Sequence, residues 1–239
     1  VPKAAEIRQL FVSPPGYSFI INDYSQMEPR VAAHYSGEDI LKWVFEQDMD
    51  LYQQISLDIF GKYDSSMRKL AKTVTLAMFY GAGAKKLSWI IKNQLDKNLS
   101  YEECVEIVDK FNQSYPKITR FKAQVQAKIQ ERKGKLYNLY NRPLFITKEN
   151  ERSAFNALIQ STASDMCLFN NLAASREFFE YGHYVQLILL VHDESVWQVK
   201  DEHVAEVSQY LAENLTRFDK LGFTIPVKIN QKVAKTWAG

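Results

Sequence analysis

The sequence predicts an α+β fold: an antiparallel sheet with flanking helices, plus a mainly helical region in the middle. Three observations carry this. Apolar strand candidates lie near the two ends, at residues 18–22 and 184–200. Helix-period segments fill the sequence between them. His192-Asp193-Glu194 is a tight turn between two apolar runs, which marks a hairpin and therefore antiparallel pairing. The sheet must then be assembled from pieces far apart in sequence.

The elements follow in order. Ser13-Pro-Pro-Gly16 is a turn signal, and Ser18-Phe-Ile-Ile-Asn22 after it reads as a strand ending at Asp23. A helical pattern covers residues 66–80, with Gly81 as its C-cap. Ser100 and Glu103 have the spacing of a capping box, opening a helix to about Asn112. Pro116 starts another helix, which Gly134 ends. Residues 137–146 read as a hairpin or irregular turn. Residues 149–181 read as one long helix ended by Gly182. A strand over 184–191 and a second over 195–200 make the hairpin. A helix over 201–217 and a last strand over 225–233 complete the chain.

Composition bounds the function. The 239 residues are 46% hydrophobic, enough for a large core, and 14 Phe, 13 Tyr and 4 Trp exclude a solvated tail. The net charge of +2 excludes a uniformly basic, histone-like binder but leaves room for local basic patches. Cys104 and Cys167 have no metal-ligand spacing, and a disulfide framework is not expected. No run approaches the ~20 apolar residues of a membrane span.

The chemistry starts with two acids. Asp23 and Asp193 each follow an apolar strand, so each carboxylate is expected at a sheet edge, held rigidly. Two carboxylates on neighbouring strands can bridge a pair of hard cations ~4 Å apart, the arrangement of in-line phosphoryl transfer. A lone aspartate in a turn is usually no more than a turn residue, so other residues must raise its significance. Arg68, Lys72, Leu76 and Tyr80 do so. At spacing four they drift only ~40° per step and share one helix stripe. Two cations suit triphosphate oxygens, and the apolar and aromatic end suits a sugar and base. Arg152, Asn156 and Gln160 form a second stripe at spacing four, suited to a nucleic-acid backbone or minor-groove edges.

Together these segments resemble a known family. Asp23-Tyr-Ser-Gln-Met-Glu-Pro-Arg30 with Ala33-His-Tyr-Ser-Gly37 resembles motif A of family A DNA polymerases, the bacterial DNA polymerase I group. Arg68 to Lys72, continuing to Phe79-Tyr-Gly81, resembles motif B on the fingers helix. Val191-His-Asp-Glu194 resembles motif C. Arg152 to Ala163 is similar to the helix that precedes motif C, and Val233 to Trp237 resembles the family's C-terminal end.

The resemblance implies a right-hand palm, an antiparallel sheet with flanking helices, and a mainly helical fingers subdomain. Residues 1–36 would be the first part of the palm, 37–148 the fingers, and 149–239 the second part of the palm. It implies a template-directed DNA polymerase that adds deoxynucleotides to a primer 3′-hydroxyl. The implied cofactor is Mg2+, as two ions that Mn2+ can replace. Asp23 and Asp193, with the Tyr24 carbonyl, would hold them. Arg68 and Lys72 would grip the phosphates, and Lys72 would protonate the leaving group. Glu28 would be the steric gate against a 2′-hydroxyl, and Tyr80 would pack by the nascent pair. Ser25, Gln26, Tyr52 and Leu76 complete the implied substrate-binding set. Arg30, Arg152, Asn156, Gln160, His192 and Glu194 would contact primer–template DNA.

The sequence also departs from the family. Leu76 stands where the fingers helix usually carries Phe or Tyr. Tyr52 stands where a phosphate-contacting His is usual, and Pro29 replaces a Leu. Motif A begins 23 residues from the start. A split or truncated polymerase is therefore expected, with the thumb and exonuclease-like domains on a separate polypeptide. The expected setting is the cytoplasm of a bacterial or phage-infected cell. Two other functions fit parts of the pattern: a single-subunit RNA polymerase, and a silent DNA-binding or assembly subunit. Glu28 and Glu194 argue against the first, and the full set of catalytic residue types argues against the second.

Overall fold

The computed structural model describes the backbone from residue 5 and side chains from residue 6, to the end of the chain. In chain order the elements begin with α1 Ala5–Arg8, β1 Tyr17–Tyr24, α2 Met27–Ser36, α3 Asp39–Glu46, α4 Leu51–Phe60 and α5 Ser65–Phe79. Next come α6 Ala84–Leu95, α7 Tyr101–Ser114, α8 Pro116–Glu131, β2 Lys135–Tyr137 and β3 Pro143–Phe145. The chain ends with α9 Ala154–Glu177, β4 Val185–Val191, β5 Glu194–Lys200, α10 Val204–Asn214 and β6 Ile229–Ala234. They form two compact units: Val1–Met27 with Ala163–Gly239, and Glu28–Thr162.

The first unit is built on a four-stranded antiparallel sheet in the order β4-β5-β1-β6. β1 is internal, and its Phe19-Ile-Ile21 centre is buried on both faces, as an apolar run bounded by turns requires. Phe19 and Ile21 pack with Val196 and Trp237 on one face. On the other face Ile20 pairs with Trp197, whose indole Nε1 donates to Asn171 Oδ1 at 3.2 Å. β4 is an edge strand with an irregularity between Leu187 and Leu189.

The second unit is mainly helical, with the small β2–β3 hairpin as its sheet. Side-chain caps start three of its helices. Asp50 caps α4, Asp64 caps α5, and Ser100 and Glu103 complete the expected capping box of α7. Gly134 adopts φ +85°, and a Cβ there would lie 2.4 Å from the Ile146 carbonyl oxygen, so the close approach after α8 requires glycine.

Three boundaries differ from expectation. The long helix over 149–181 is shorter: a 3-10 segment Lys148–Ser153 precedes α9, and another, Phe179–Tyr184, follows it. The first has no buried residue to hold a helix face, and Gly182 turns to φ 57° in the second. The last strand begins at Ile229 rather than 225, because Pro226 has no amide hydrogen for a ladder. The helix expected over 201–217 opens with a 3-10 turn, Asp201–His203, and is α-helical only over Val204–Asn214.

Candidate active site

In the first unit the strand alternation puts Phe19, Ile21 and Asp23 on one face of β1. Asp23 lies opposite Glu194 on β5 and Asn230 on β6. The next residue closes the site: the Tyr24 amide donates to the Asp193 carbonyl at 2.9 Å, tying the β4–β5 turn to the end of β1. The turn itself uses His192 at φ 57°, a left-handed conformation open to His at modest cost. Asp193 is exposed and Asp23 is half-buried. Burial first, and the neighbouring Asp193 second, raise the Asp23 pKa, while a hydrogen bond with Asn230 opposes them.

A third carboxylate stands beside this pair. Glu194 accepts from Arg8 Nη1 at 2.9 Å through Oε2 and from Trp237 Nε1 at 2.6 Å through Oε1. Arg8 in turn lies 4.4 Å from the Trp237 ring centroid, and Phe11 meets that ring edge-on at 5.3 Å. Sequence reasoning missed Arg8 entirely, since a single arginine in a short N-terminal helix has no pattern around it. It found Trp237 only as part of a terminal motif.

Of the other residues expected near motif A, Tyr24 is buried and its hydroxyl donates to the Leu215 carbonyl. Ser25 donates its amide to the Lys228 carbonyl, and Gln26 adopts φ 54° with Oε1 buried and unpartnered.

The donor set suits a hard divalent cation. Asp23 stands at the end of β1 and Asp193 in the turn tied to it, and Asp23 is raised partly by the charge of Asp193, a repulsion a cation would relieve. Among the described residues no group of three or more His, Cys, Asp or Glu forms a closed metal cage. Magnesium does not need one: it is commonly held by one or two carboxylates, with water and substrate phosphates completing the shell.

The second unit carries the cation stripe. Arg68, Lys72 and Leu76 lie on α5, and Tyr80 is its C-cap. Arg68 Nε donates to Asp50 Oδ2 at 2.7 Å, and its guanidinium carbon is 5.3 Å from the Tyr52 ring centroid. Lys72 Nζ is 6.0 Å from the same ring. Tyr52 is only 4% exposed, and burial pushes its hydroxyl up to about 12. Lys72 is exposed and Leu76 half-buried.

At the other end of the stripe, Gln160 Nε2 donates to the Tyr80 hydroxyl at 2.6 Å and to Glu28 Oε1 at 3.3 Å. The expected gate, the expected base platform and one residue of the second stripe therefore form one hydrogen-bonded group. Burial first, and Glu28 second, raise the Tyr80 hydroxyl. Asn156 is buried with Oδ1 unpartnered, and its side chain works against that rise in the Tyr80 pKa. Arg152 lies in the 3-10 segment before α9, so it is not on the helix that carries Asn156 and Gln160. Its carbonyl sits where a Cβ on Gly81 would come within 2.9 Å, which explains glycine there. Arg30 is buried, 4.3 Å from the Phe45 ring centroid, and burial lowers its pKa to about 10.

Lys122 was not expected. Its Nζ donates to the Met78 carbonyl at 2.5 Å, near the end of α5, and lies 5.8 Å from the Phe111 and 5.5 Å from the Phe155 ring centroid. Burial lowers its pKa to about 8.

An antiparallel sheet with paired aspartates at a strand end and a hairpin turn, and a helical unit with a cation stripe, define the palm-and-fingers class of right-hand polymerase folds. The chain belongs to DNA polymerase family A, whose model matches residues 2–239. The thermostable DNA polymerase I of Thermus thermophilus is 30% identical over 255 residues, covering 99% of this chain and 29% of that protein. DNA polymerase I of Chloroflexus aurantiacus is 28% identical and covers 97% and 25%. The chain thus spans less than a third of these relatives. The fold matches the POL domain of Pol1 from M. smegmatis, solved in complex with DNA primer-template and dNTP, at TM-score 0.85. That match has 21% identity and covers 100% of this chain and 44% of that one. Among the described residues no helix is long and apolar enough to cross a membrane.

Proposed function

We propose that this chain carries the nucleotidyl-transfer centre of a template-directed DNA polymerase, extending a primer 3′-hydroxyl with deoxynucleotides. One observation carries the reading: the Tyr24–Asp193 backbone bond ties the strand-end Asp23 to the turn that carries Asp193, and Asp23 feels the charge of Asp193. Asp23 and Asp193, with the Tyr24 carbonyl, would hold two Mg2+ ions. Bound there, the ions would lower the pKa of the primer hydroxyl and neutralise the leaving pyrophosphate.

The chain's own groups do the rest. Arg68 and Lys72 bind phosphate oxygens, and Lys72 Nζ gives a proton to the leaving oxygen. Glu28, held by Gln160, fills the space a ribose 2′-hydroxyl would need. Tyr80 offers its ring to the nascent pair, and Leu76 packs on the sugar. Ser25, Gln26 and Tyr52 support the nucleotide. His192 and Glu194 position the primer end. Arg30, Arg152, Asn156 and Gln160 serve primer–template DNA, where minor-groove acceptors shared by all correct pairs allow shape checking. In this reading the palm comprises residues 1–36 and 149–239, and the fingers 37–148.

Metal-dependent primer extension tests the function. Wild-type chain extends a primer with dNTPs in preference to NTPs, and Asp193→Asn abolishes it. Preference for NTPs would favour an RNA polymerase, and synthesis retained by Asp193→Asn would overturn the metal assignment. A separate polypeptide with thumb and exonuclease-like domains is part of the proposal. Exposed apolar side chains on the first unit, such as Leu10 at 78% and Phe179 at 82%, support it. Processive synthesis by this chain alone would remove that requirement. The proposed setting is the cytoplasm of a bacterial or phage-infected cell.

A further inference from the structure

Asp50 divides its two oxygens between two tasks. Oδ1 accepts from the backbone amides of Tyr52 at 2.8 Å and Gln53 at 3.3 Å, and so caps α4. Oδ2 accepts from Arg68 Nε at 2.7 Å. Among the described residues the terminal nitrogens of Arg68 make no hydrogen bond. The Tyr52 ring lies near the same guanidinium and near Lys72.

A guanidinium is planar, with one edge formed by Nε and one terminal amino group and another formed by the two terminal groups. Holding Nε and packing the group against a ring restrains both its rotation and its plane. The edge left over is the pair of terminal nitrogens, whose spacing matches two phosphate oxygens. A side chain held this way loses little freedom when it binds. Arg68 keeps 45% of its side chain exposed, so this edge is accessible to a ligand.

We propose that Asp50 and Tyr52 form a cradle that presents the terminal nitrogens of Arg68 as a preset fork to the triphosphate of the incoming nucleotide. Both are positioning residues acting through Arg68, and the proposal rests on the polymerase reading above. In this cradle Tyr52 is an aromatic support beside the cations of Arg68 and Lys72. It contributes through its ring rather than through a hydroxyl on phosphate.

Asp50→Ser keeps an oxygen that can cap α4 but has none left for Arg68. The full chain and its variants are compared for dNTP KM and kcat in primer extension, and for Kd of inorganic tripolyphosphate by calorimetry. Asp50→Ser raises both KM and Kd by about tenfold, with kcat changed less than about threefold. In an Arg68→Gln background the same substitution changes them less than about twofold, because the residue it acts through is gone. An equal effect with and without Arg68 would overturn the cradle, as would a lower melting temperature with KM and Kd unchanged. Tyr52→Leu raises KM at least about threefold more than Tyr52→Phe does. Equal losses would assign the hydroxyl as ligand and overturn the part given to the ring. If the wild type extends no primer, the polymerase reading fails. Tripolyphosphate binding and its coupling between positions 50 and 68 still decide the cradle.

Discussion

The amide of Tyr24 donates to the carbonyl of Asp193 at 2.9 Å, and with the β1–β5 ladder this bond keeps the two aspartates close together. Their repulsion is therefore a permanent feature of the folded, metal-free chain. The Asp23 pKa is raised, so its ionised form is less favourable folded than unfolded. That cost is absent below the unfolded value of 3.8 and is fully present above the folded value. Asp23→Asn should thus raise the melting temperature at pH 7 in the presence of a chelator and leave it unchanged near pH 3. Solvent screens a half-buried group, so the gain is small, about 1–2 °C. Scanning calorimetry at the two pH values decides it. A lower melting temperature at pH 7 would contradict the repulsion.

Glu28 receives a hydrogen bond from the same Gln160 amide that holds the Tyr80 hydroxyl. Glu28→Ala opens space beside the sugar without removing the Gln160–Tyr80 bond. Ribonucleotide use relative to deoxynucleotide use should rise by on the order of a hundredfold in single-turnover extension. No change in that ratio would remove Glu28 as the gate.

Leu76 is half-buried on α5, one turn before Tyr80. An aliphatic side chain packs on a sugar differently from a ring. Leu76→Phe should change the ratio of dideoxynucleotide to deoxynucleotide incorporation by about fivefold or more, read from terminated primer ladders. If ratio and rate both stay constant, position 76 does not meet the sugar.

Lys122 gives a pH signature of its own. Its folded pKa is about 8 against 10.5 unfolded, so between these values the unfolded chain binds more protons. Stability from this group therefore rises with pH across that window and is flat below it. Lys122→Met lacks this contribution. The stability of wild type minus that of the variant should grow between pH 8 and 10.5 in denaturant titrations. A difference that stays constant would mean the amine is not titrating where its burial places it.

Much of the fold could be read from the sequence because local chemistry decided it. The Ser100–Glu103 capping box, Pro116, Gly81 and the apolar run before Asp23 each act within a few residues, and the elements they mark are present. Contacts made across long sequence distances were not readable. Nothing around Arg8 signals that it will hold Glu194, 186 residues away. Asp50 reads locally as a helix cap, which it is, while its bond to Arg68 depends on how α4 packs on α5. Lys122 reads as one more polar residue on a helix. Its place near two rings exists only once α7 and α9 supply Phe111 and Phe155. The stripe through Arg152 assumed one unbroken helix, and the 3-10 segment took that residue out of line.

The two cysteines give the protein a pair of internal clocks. Cys104 is 0% exposed in the helical unit and Cys167 is 3% exposed in the sheet unit, and burial raises the pKa of both thiols. Neither can meet a thiol reagent until the segment around it opens. Replacing one cysteine at a time with serine or alanine leaves a single reporter. The labelling rate of the remaining one, under native conditions, then times the spontaneous opening of one unit independently of the other.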